Sequence, residues 1–227
     1  MLPLRDEIPS RNIPFVNYTL IGLNILVFIW QLLVGQDDPA LVYQFALIPS
    51  QVTVGITPDD FLRVLTSMFM HGGLAHIGGN MLYLWIFGDN IEDAMGHGRY
   101  LLFYLVGGFV ASIAHIISSP NSQVPTVGAS GAIAAVLGAY LILYPQARVL
   151  TLVSLGFFIR MTMVPAIIVL GLWFVLQLFQ GVLTMGGPDV GGVAFWAHIG
   201  GFVFGLLGAK LLARNPTYNA YTRYRTF

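Results

Sequence analysis

The part of the chain that decides the fold is the stretch VGASGAIAAVLGAYLILY, residues 127–144. It carries no charged side chain and, as a helix, is roughly long enough to cross about 30 Å of hydrocarbon. Small residues fill its first half, and Ser130 stands near its start. The stretch predicts a membrane-spanning helix with a polar side chain near one end.

The composition of the whole chain supports the same class of protein. Of 227 residues, 56% are hydrophobic and only 9% are charged, whereas a soluble domain carries about 25% charged residues. We therefore predict a multi-span membrane protein embedded in a lipid bilayer. The net charge of zero argues against a nucleic-acid partner. The absence of cysteine excludes disulfides, thiolate catalysis and cysteine zinc sites.

Five stretches are uncharged and roughly long enough to span a membrane. A sixth, 74–88, becomes long enough if it begins near Met70. Its polar His76 and Asn80 do not exclude it, because polar residues inside a bundle are candidates for function. We predict an all-α fold, a polytopic bundle of six transmembrane helices. The five plain stretches are 15–35, 101–119, 127–144, 163–185 and 193–209.

A seventh span through the apolar segment 149–159 is the alternative. That segment is short and lies between Arg148 and Arg160, so we expect it at the membrane interface instead. With six spans and the N-terminus inside, nine of the ten Lys and Arg residues lie inside and only Arg63 lies outside. This bias supports six spans and cytoplasmic termini.

The spans divide the chain into a short cytoplasmic tail (1–14), a six-span domain (15–213) and a cytoplasmic C-terminal tail (214–227). The N-terminus does not read as a cleaved signal peptide, because no short apolar core with a small-residue cleavage site follows it. The first outer loop, 36–70, which we call L1, is long for a connector and rich in apolar residues. We expect L1 to rest on the outer membrane interface.

Two polar side chains, Ser130 and His198, lie in different spans. Small residues on these spans allow the two helices to approach each other closely. Ser130 lies a few residues into the fourth span, near the free N–H groups of the helix start, which favour developing negative charge. His198 lies in the sixth span, and a neutral imidazole can accept a serine proton. Gly201 and Gly205 form a small-residue face below it that brings the two helices together. The competing interpretation of Ser130 alone is a helix contact, and that of His198 a hydrogen bond across helices.

His76 and Asn80 are four residues apart, so they share a helix face. Both side chains can donate hydrogen bonds, and two donors aimed at one point suit an oxyanion. Metal binding is the competing interpretation. We expect no metal, because there is no HExxH pattern, no cysteine and no carboxylate beside His76.

Together, and in this order along the chain, these clusters resemble the rhomboid family of intramembrane serine proteases. The GASG at 128–131, the histidine and asparagine at 76 and 80, and the AHxxGxxxG at 197–205 match the family's three motifs. The resemblance extends over nearly the whole chain. It implies a rhomboid-like membrane bundle and a serine-type endopeptidase that needs no cofactor.

The resemblance also implies roles for single residues. Ser130 is the nucleophile and His198 the general base, in a dyad without a third acid. His76, Asn80 and the backbone N–H of Ser130 form the oxyanion hole. His71 pins L1 to the core, Arg63 matches an arginine of that loop, and Glu92 matches a structural glutamate. The supporting residues are therefore His71, Arg63, Glu92, Gly128, Gly131, Gly201 and Gly205.

Two positions depart from the family pattern. Leu62 stands where relatives often have a tryptophan beside the arginine. Ala134 stands where some relatives have an aromatic that stacks on the catalytic histidine, so His198 must be oriented in another way. The implied substrates are single-span membrane proteins, which approach a water-filled outer cavity past the fifth span. The glycine-rich loop 185–193 is the expected movable cap.

Three classes of function differ in what they require. A protease needs both Ser130 and His198, whereas a non-catalytic rhomboid-like protein that binds membrane clients is expected to lack one of them. A transporter or channel needs paired broken helices or an acidic relay in mid-span, and the chain has neither. Trp173 and Phe174 are expected either in a gate or in simple packing. The compact six-span form favours a prokaryotic plasma membrane.

Overall fold

A computed structural model describes residues 1–34, 40–155, 158–184 and 193–214. These residues form nine helices and three strands. The membrane-length helices are α1 (Phe15–Val34), α5 (Leu74–Met95), α6 (His97–Ser118), α8 (Ala166–Leu183) and α9 (Phe195–Leu212), and α7 (Ser130–Leu143) is shorter. Three short helices, α2 (Ala40–Phe45), α3 (Pro49–Val54) and α4 (Pro58–Ser67), precede α5, and the strands are β1 (Leu2–Asp6), β2 (Arg148–Leu155) and β3 (Phe158–Pro165).

Four of these helices, α1, α6, α8 and α9, are long and apolar enough to cross a membrane. Helix α5 has 22 residues, but its last two turns carry the acidic residues Asp89, Glu92 and Asp93. Helix α7 has 14 residues, which is about 21 Å of helix. It begins at Ser130, three residues later than the sequence predicts, because Gly128 has a φ of +126° that no continuous helix accommodates.

Helix α7 occupies the centre of the bundle. Ten consecutive residues, from Gly131 to Tyr140, are buried. Its closest neighbour is α9. A Cβ at Gly201 would lie 2.1 Å from the Gly131 carbonyl oxygen, and a Cβ at Gly205 would lie 2.0 Å from that of Ala135. Only glycine permits this approach of the two backbones, which confirms the expected contact between these spans.

A three-stranded antiparallel sheet, in the order β1-β2-β3, lies at the end of the bundle where α7 ends. The expectation of an all-α fold is therefore incomplete, because 149–155 and 158–159 lie in the paired strands β2 and β3, and the expected N-terminal tail supplies β1. The segment is apolar on both faces, so periodicity alone does not distinguish a strand from a helix. The β-branched Val149, Thr151 and Val153 favour the strand. The span expected at 163–185 accordingly begins at Ala166.

The described part of L1 packs on the end of the bundle where α7 begins. Leu47 and Thr126 exchange backbone hydrogen bonds of 3.1 and 2.7 Å. The Asp60 carboxylate starts α4 by accepting 2.8 Å bonds from the backbone N–H and the hydroxyl of Thr57. L1 therefore fixes the segment that leads into Ser130.

Candidate active site

Ser130 lies at the first position of α7, so its backbone N–H has no partner within the helix. The turn before it is held by Gly128, whose N–H donates to the Ser67 carbonyl oxygen at 2.8 Å. A side chain at Gly128 would collide with His76, since its Cβ would lie 2.7 Å from His76 Nε2. Glycine is thus required at 128 both for its φ and for space.

The structure brings Ser130 and His198 together. His198 Nε2 lies 2.7 Å from Ser130 Oγ, and both side chains are half-buried. On the other side of the ring, His198 Nδ1 lies 2.7 Å from Gln177 Oε1. An amide oxygen only accepts, so this network assigns the ring proton to Nδ1 and leaves the Nε2 lone pair for the serine hydroxyl. A neutral histidine in this tautomer can take the serine proton.

Sequence reasoning missed Gln177. It lies on α8, one helical turn after Trp173, whose ring centre is 5.7 Å from that of His198. The available signal was a pair of amide side chains, Gln177 and Gln180, in an apolar span, since polar residues in spans usually face partners inside the bundle. Phe174, by contrast, stacks on Phe202 with ring centres 4.6 Å apart, so it packs against α9.

His76 and Asn80 lie beside the backbone of the serine turn. A Cβ at Gly128 would be 2.7 Å from His76 Nε2 and 3.6 Å from Asn80 Nδ2. His76 Nδ1 accepts a 3.3 Å bond from the Gly72 N–H, which assigns the ring proton to Nε2. Both side chains therefore present N–H donors near Ser130, an arrangement that can stabilise a negative oxygen.

His71 is buried and sits behind Asn80. Its Nδ1 donates to the Phe69 carbonyl oxygen at 3.3 Å, and its Nε2 accepts from Asn80 Nδ2 at 2.9 Å. Gln31 of α1 holds its backbone through two bonds, accepting from the His71 N–H at 2.9 Å and donating to its carbonyl oxygen at 3.3 Å. His71 thus joins the end of L1 to α1 and α5. Sequence reasoning also missed Gln31, an amide side chain in the first span.

A cavity of about 1260 Å³ surrounds these groups. Ser130, His198, His76 and Asn80 line it, together with Gly128 and Trp173. The expected capping loop lies almost wholly outside the described residues, at 185–192, and so does most of the C-terminal tail, at 215–227. Among the residues that the structure describes, no three His, Asp or Glu side chains are grouped so as to hold a metal ion.

Of the other predicted supporting residues, Gly131 lines the cavity, whereas Arg63, Gly201 and Gly205 do not. Arg63 joins two L1 helices, donating to Gln51 Oε1 at 2.8 Å and lying 3.5 Å from Asp60. Gly131 packs against α6, where a Cβ would be 2.6 Å from that of Ala111. Gly201 and Gly205 form the α7–α9 contact described above.

Glu92 lies near the opposite end of α5 and is 1% exposed. Its two oxygens accept from the N–H groups of Val16 and Asn17 at 3.0 and 2.7 Å, which caps the start of α1. His97 Nδ1 lies 2.5 Å from the same carboxylate, and its ring is 4.1 Å from that of Phe15. His97, whose side chain is 41% exposed, therefore connects the start of α6 to the capped start of α1.

Comparison with known proteins gives a consistent result. Residues 58–215 match the Rhomboid domain family. The chain is 32% identical over 200 residues to "Rhomboid protease GluP" of Bacillus subtilis, which is 88% of this chain and 35% of that protein. It is 35% identical over 161 residues to "RHOMBOID-like protein 4" of Arabidopsis thaliana, 70% of this chain and 36% of that protein. The chain thus spans about a third of the length of these relatives.

Proposed function

The chain belongs to the rhomboid family and is a multi-pass integral membrane protein, and we propose that it is an intramembrane serine endopeptidase. Ser130 and His198 form its catalytic dyad, and single-span membrane proteins are its substrates. The observation that carries this proposal is the 2.7 Å contact between Ser130 Oγ and His198 Nε2 at the wall of a cavity. Relatives named as proteases support it.

The reaction begins with the neutral imidazole. His198 Nε2 takes the hydroxyl proton as Ser130 Oγ attacks the scissile carbonyl carbon. The imidazolium then gives this proton to the leaving amine, and an acyl-enzyme ester remains on Ser130. A water molecule attacks the ester while His198 takes one of its protons. Return of that proton to Ser130 Oγ releases the carboxylic acid and restores the enzyme.

The oxyanion formed in each half-reaction is stabilised by N–H donors. His76 Nε2, Asn80 Nδ2 and the Ser130 backbone N–H form this hole in the proposal. The tautomer of His76 and the free N–H at the start of α7 support these assignments. Loss of one such donor typically lowers the rate by about 10²–10³.

We propose that six helices cross the membrane, with α5 and α7 joining the four long apolar ones. Nine of ten Lys and Arg residues then lie on the cytoplasmic side with both termini. Helix α7 is about 21 Å long, shorter than a bilayer of roughly 30 Å. Ser130 therefore lies below the outer surface, and the cavity supplies water there. The bacterial relative supports a bacterial plasma membrane, although a mitochondrial relative exists.

We further propose that L1 rests in the outer interface and that substrates approach past α8. Four L1 side chains support the first point, because Val54, Ile56, Phe61 and Leu62 are apolar and more than half exposed. Helix α8 supports the second, since only 22% of its residues are buried inside the bundle. Substrate helices must unwind near Ser130, because a peptide bond inside a helix is shielded from attack, and small residues at the cut site make this easier.

Cleavage of a tagged single-span substrate by detergent-purified protein tests the proposal. The parent and Ser112→Ala, whose side chain lines the same cavity, are expected to cleave, while Ser130→Ala and His198→Ala are not. Cleavage that survives Ser130→Ala contradicts the mechanism. A folded parent that cleaves none of several substrates, yet binds them, supports the non-catalytic client-binding alternative instead.

A further inference from the structure

Three helices meet in one hydrogen-bonded chain. Ser130 of α7, His198 of α9 and Gln177 of α8 are joined by two contacts of 2.7 Å each. We propose that Gln177 is a positioning residue that fixes the tautomer and the orientation of His198. This inference rests on the proposed dyad, and it assigns to α8 a part in the chemistry beyond bordering the cavity.

The tautomer of His198 decides whether it can act as a base. With the Gln177 carbonyl oxygen at Nδ1, the ring proton stays there and Nε2 faces Ser130 with a lone pair. With no acceptor at Nδ1, the proton is free to move to Nε2, and the ring then donates to the hydroxyl instead of accepting from it. Gln177 supplies the acceptor that excludes this inactive form.

Neighbouring residues do not supply the same restraint. Ala134 is too small to stack on the ring, and it must be small because α9 is packed tightly here: a Cβ at Gly201 would lie 3.3 Å from that of Ala134. Trp173 flanks His198 at a ring tilt of 37°, but its indole has no acceptor. Trp173 limits the tilt of the imidazole, and Gln177 determines which nitrogen carries the proton.

In the part of the chain that the structure describes, few titratable groups lie near His198. Those that act on it are His76 of α5 and His115 of α6. Helix α8 carries no titratable side chain, and Tyr140 of α7 lies at the other end of the bundle beside Asp6. A carboxylate introduced at 177 would therefore act on His198 with little interference.

The experiment compares Gln177→Leu, Gln177→Glu and the control Gln180→Leu, an exposed glutamine of the same helix. We expect Gln177→Leu to lower kcat about tenfold at unchanged KM, the effect of one neutral hydrogen bond. Gln177→Glu restores the acceptor and should recover most of that loss. Its carboxylate stabilises the imidazolium, so the acid limb of the pH–rate profile should move to higher pH. Gln180→Leu should match the parent.

The ¹⁵N NMR signals of the His198 imidazole, assigned with His198→Asn, give a readout that does not depend on cleavage. The parent should carry its proton on Nδ1, and Gln177→Leu should shift the population towards Nε2–H. Equal kcat in Gln177→Leu and Gln180→Leu, or an Nε2–H tautomer in the parent, overturns the inference. If Gln177→Leu fails to fold, an unshifted pH profile in Gln177→Glu overturns it. A parent that never cleaves refutes the proposed function, while the NMR result still decides the role of Gln177.

Discussion

Polar groups at the two ends of the bundle have different surroundings. At the sheet end, where α7 ends, both oxygens of Glu92 are occupied by backbone N–H groups of α1. Tyr140 donates to Asp6 at 2.6 Å across the same end. At the cavity end, where α7 begins, the N–H donors of His76 and Asn80 border a cavity of about 1260 Å³.

Because of this difference, we expect polar groups at the sheet end to contribute to stability and those at the cavity end to contribute to catalysis. A fully bonded polar group holds two elements together and leaves no capacity for a substrate. A donor that faces a cavity stabilises the fold less, but it remains available to a transition state. Substitutions at the sheet end should therefore lower stability, and those at the cavity end should lower the rate.

The largest expected effect is at the cavity end. His76→Ala or Asn80→Ala should lower kcat by roughly 10²–10³ through loss of one oxyanion donor. Unfolding temperature in detergent should change little for His76→Ala, because the ring accepts only one 3.3 Å bond. Cleavage kinetics and thermal unfolding of the same samples measure both quantities. Parent-like kcat in both variants would remove the distinction between the two ends.

The matching change at the sheet end is Glu92→Ala. It leaves two helix N–H groups buried without an acceptor, at about 1–3 kcal/mol each. We expect a large loss of unfolding free energy and an unchanged rate per folded molecule. Glu92→Gln keeps the size and one acceptor oxygen, so its loss should be smaller. A fall in kcat without a fall in stability would contradict the prediction, because it would show that Glu92 acts on the reaction and not on the fold.

A pH dependence of stability should appear at the sheet end. Burial raises the pKa of Asp6 from 3.8 to about 7, although Tyr140 donates to it. The fold therefore favours the protonated acid. Its stabilising contribution is complete below pH 3.8 and is lost as pH rises through about 7, at no more than about 1.4 kcal/mol per pH unit.

Asp6→Asn should remove the part of this slope that Asp6 supplies, because an amide does not titrate. Denaturant unfolding of both proteins between pH 4 and 8 measures the difference. An equal slope in the parent and Asp6→Asn would assign the dependence to other groups.

The smallest expected effect concerns Arg63. Its bond to Gln51 is exposed, and its contact with the buried Asp60 carboxylate is long at 3.5 Å. Thr57 continues to bond that carboxylate in the variant, so we expect a contribution no larger than the roughly 0–1 kcal/mol of surface pairs. Arg63→Ala should leave both stability and kcat close to those of the parent. A loss of cleavage as large as that in His76→Ala would give L1 a direct part in the site.

Much of the candidate site could be predicted because its groups are rare where they occur. Serine, histidine and asparagine in apolar spans point to a function, because a polar group in the membrane needs a polar partner. Glycines at 201 and 205 indicated which helices approach each other, and the structure confirms that contact. Gln177 and Gln31 were missed because an amide has no charge, and its importance depends on which partner the fold brings to it.

The sheet could not be predicted for a different reason. Residues 149–159 are short and apolar, and hydropathy alone gives the same value for a strand and a helix. Pairing of β1 with β2 joins residues far apart in the chain, as in Leu2 with Leu152, which are 150 positions apart. The local sequence of a strand does not identify so distant a partner. The N-terminal segment was therefore expected to form only a tail.

The most direct test of the central claim is covalent labelling of the nucleophile. A fluorophosphonate probe reacts with a serine that an adjacent base activates. Mass spectrometry after proteolysis should find the adduct on Ser130 in the parent, no adduct in Ser130→Ala and much slower labelling in His198→Ala. An adduct on another serine, or equal labelling of Ser130 with and without His198, would contradict the dyad.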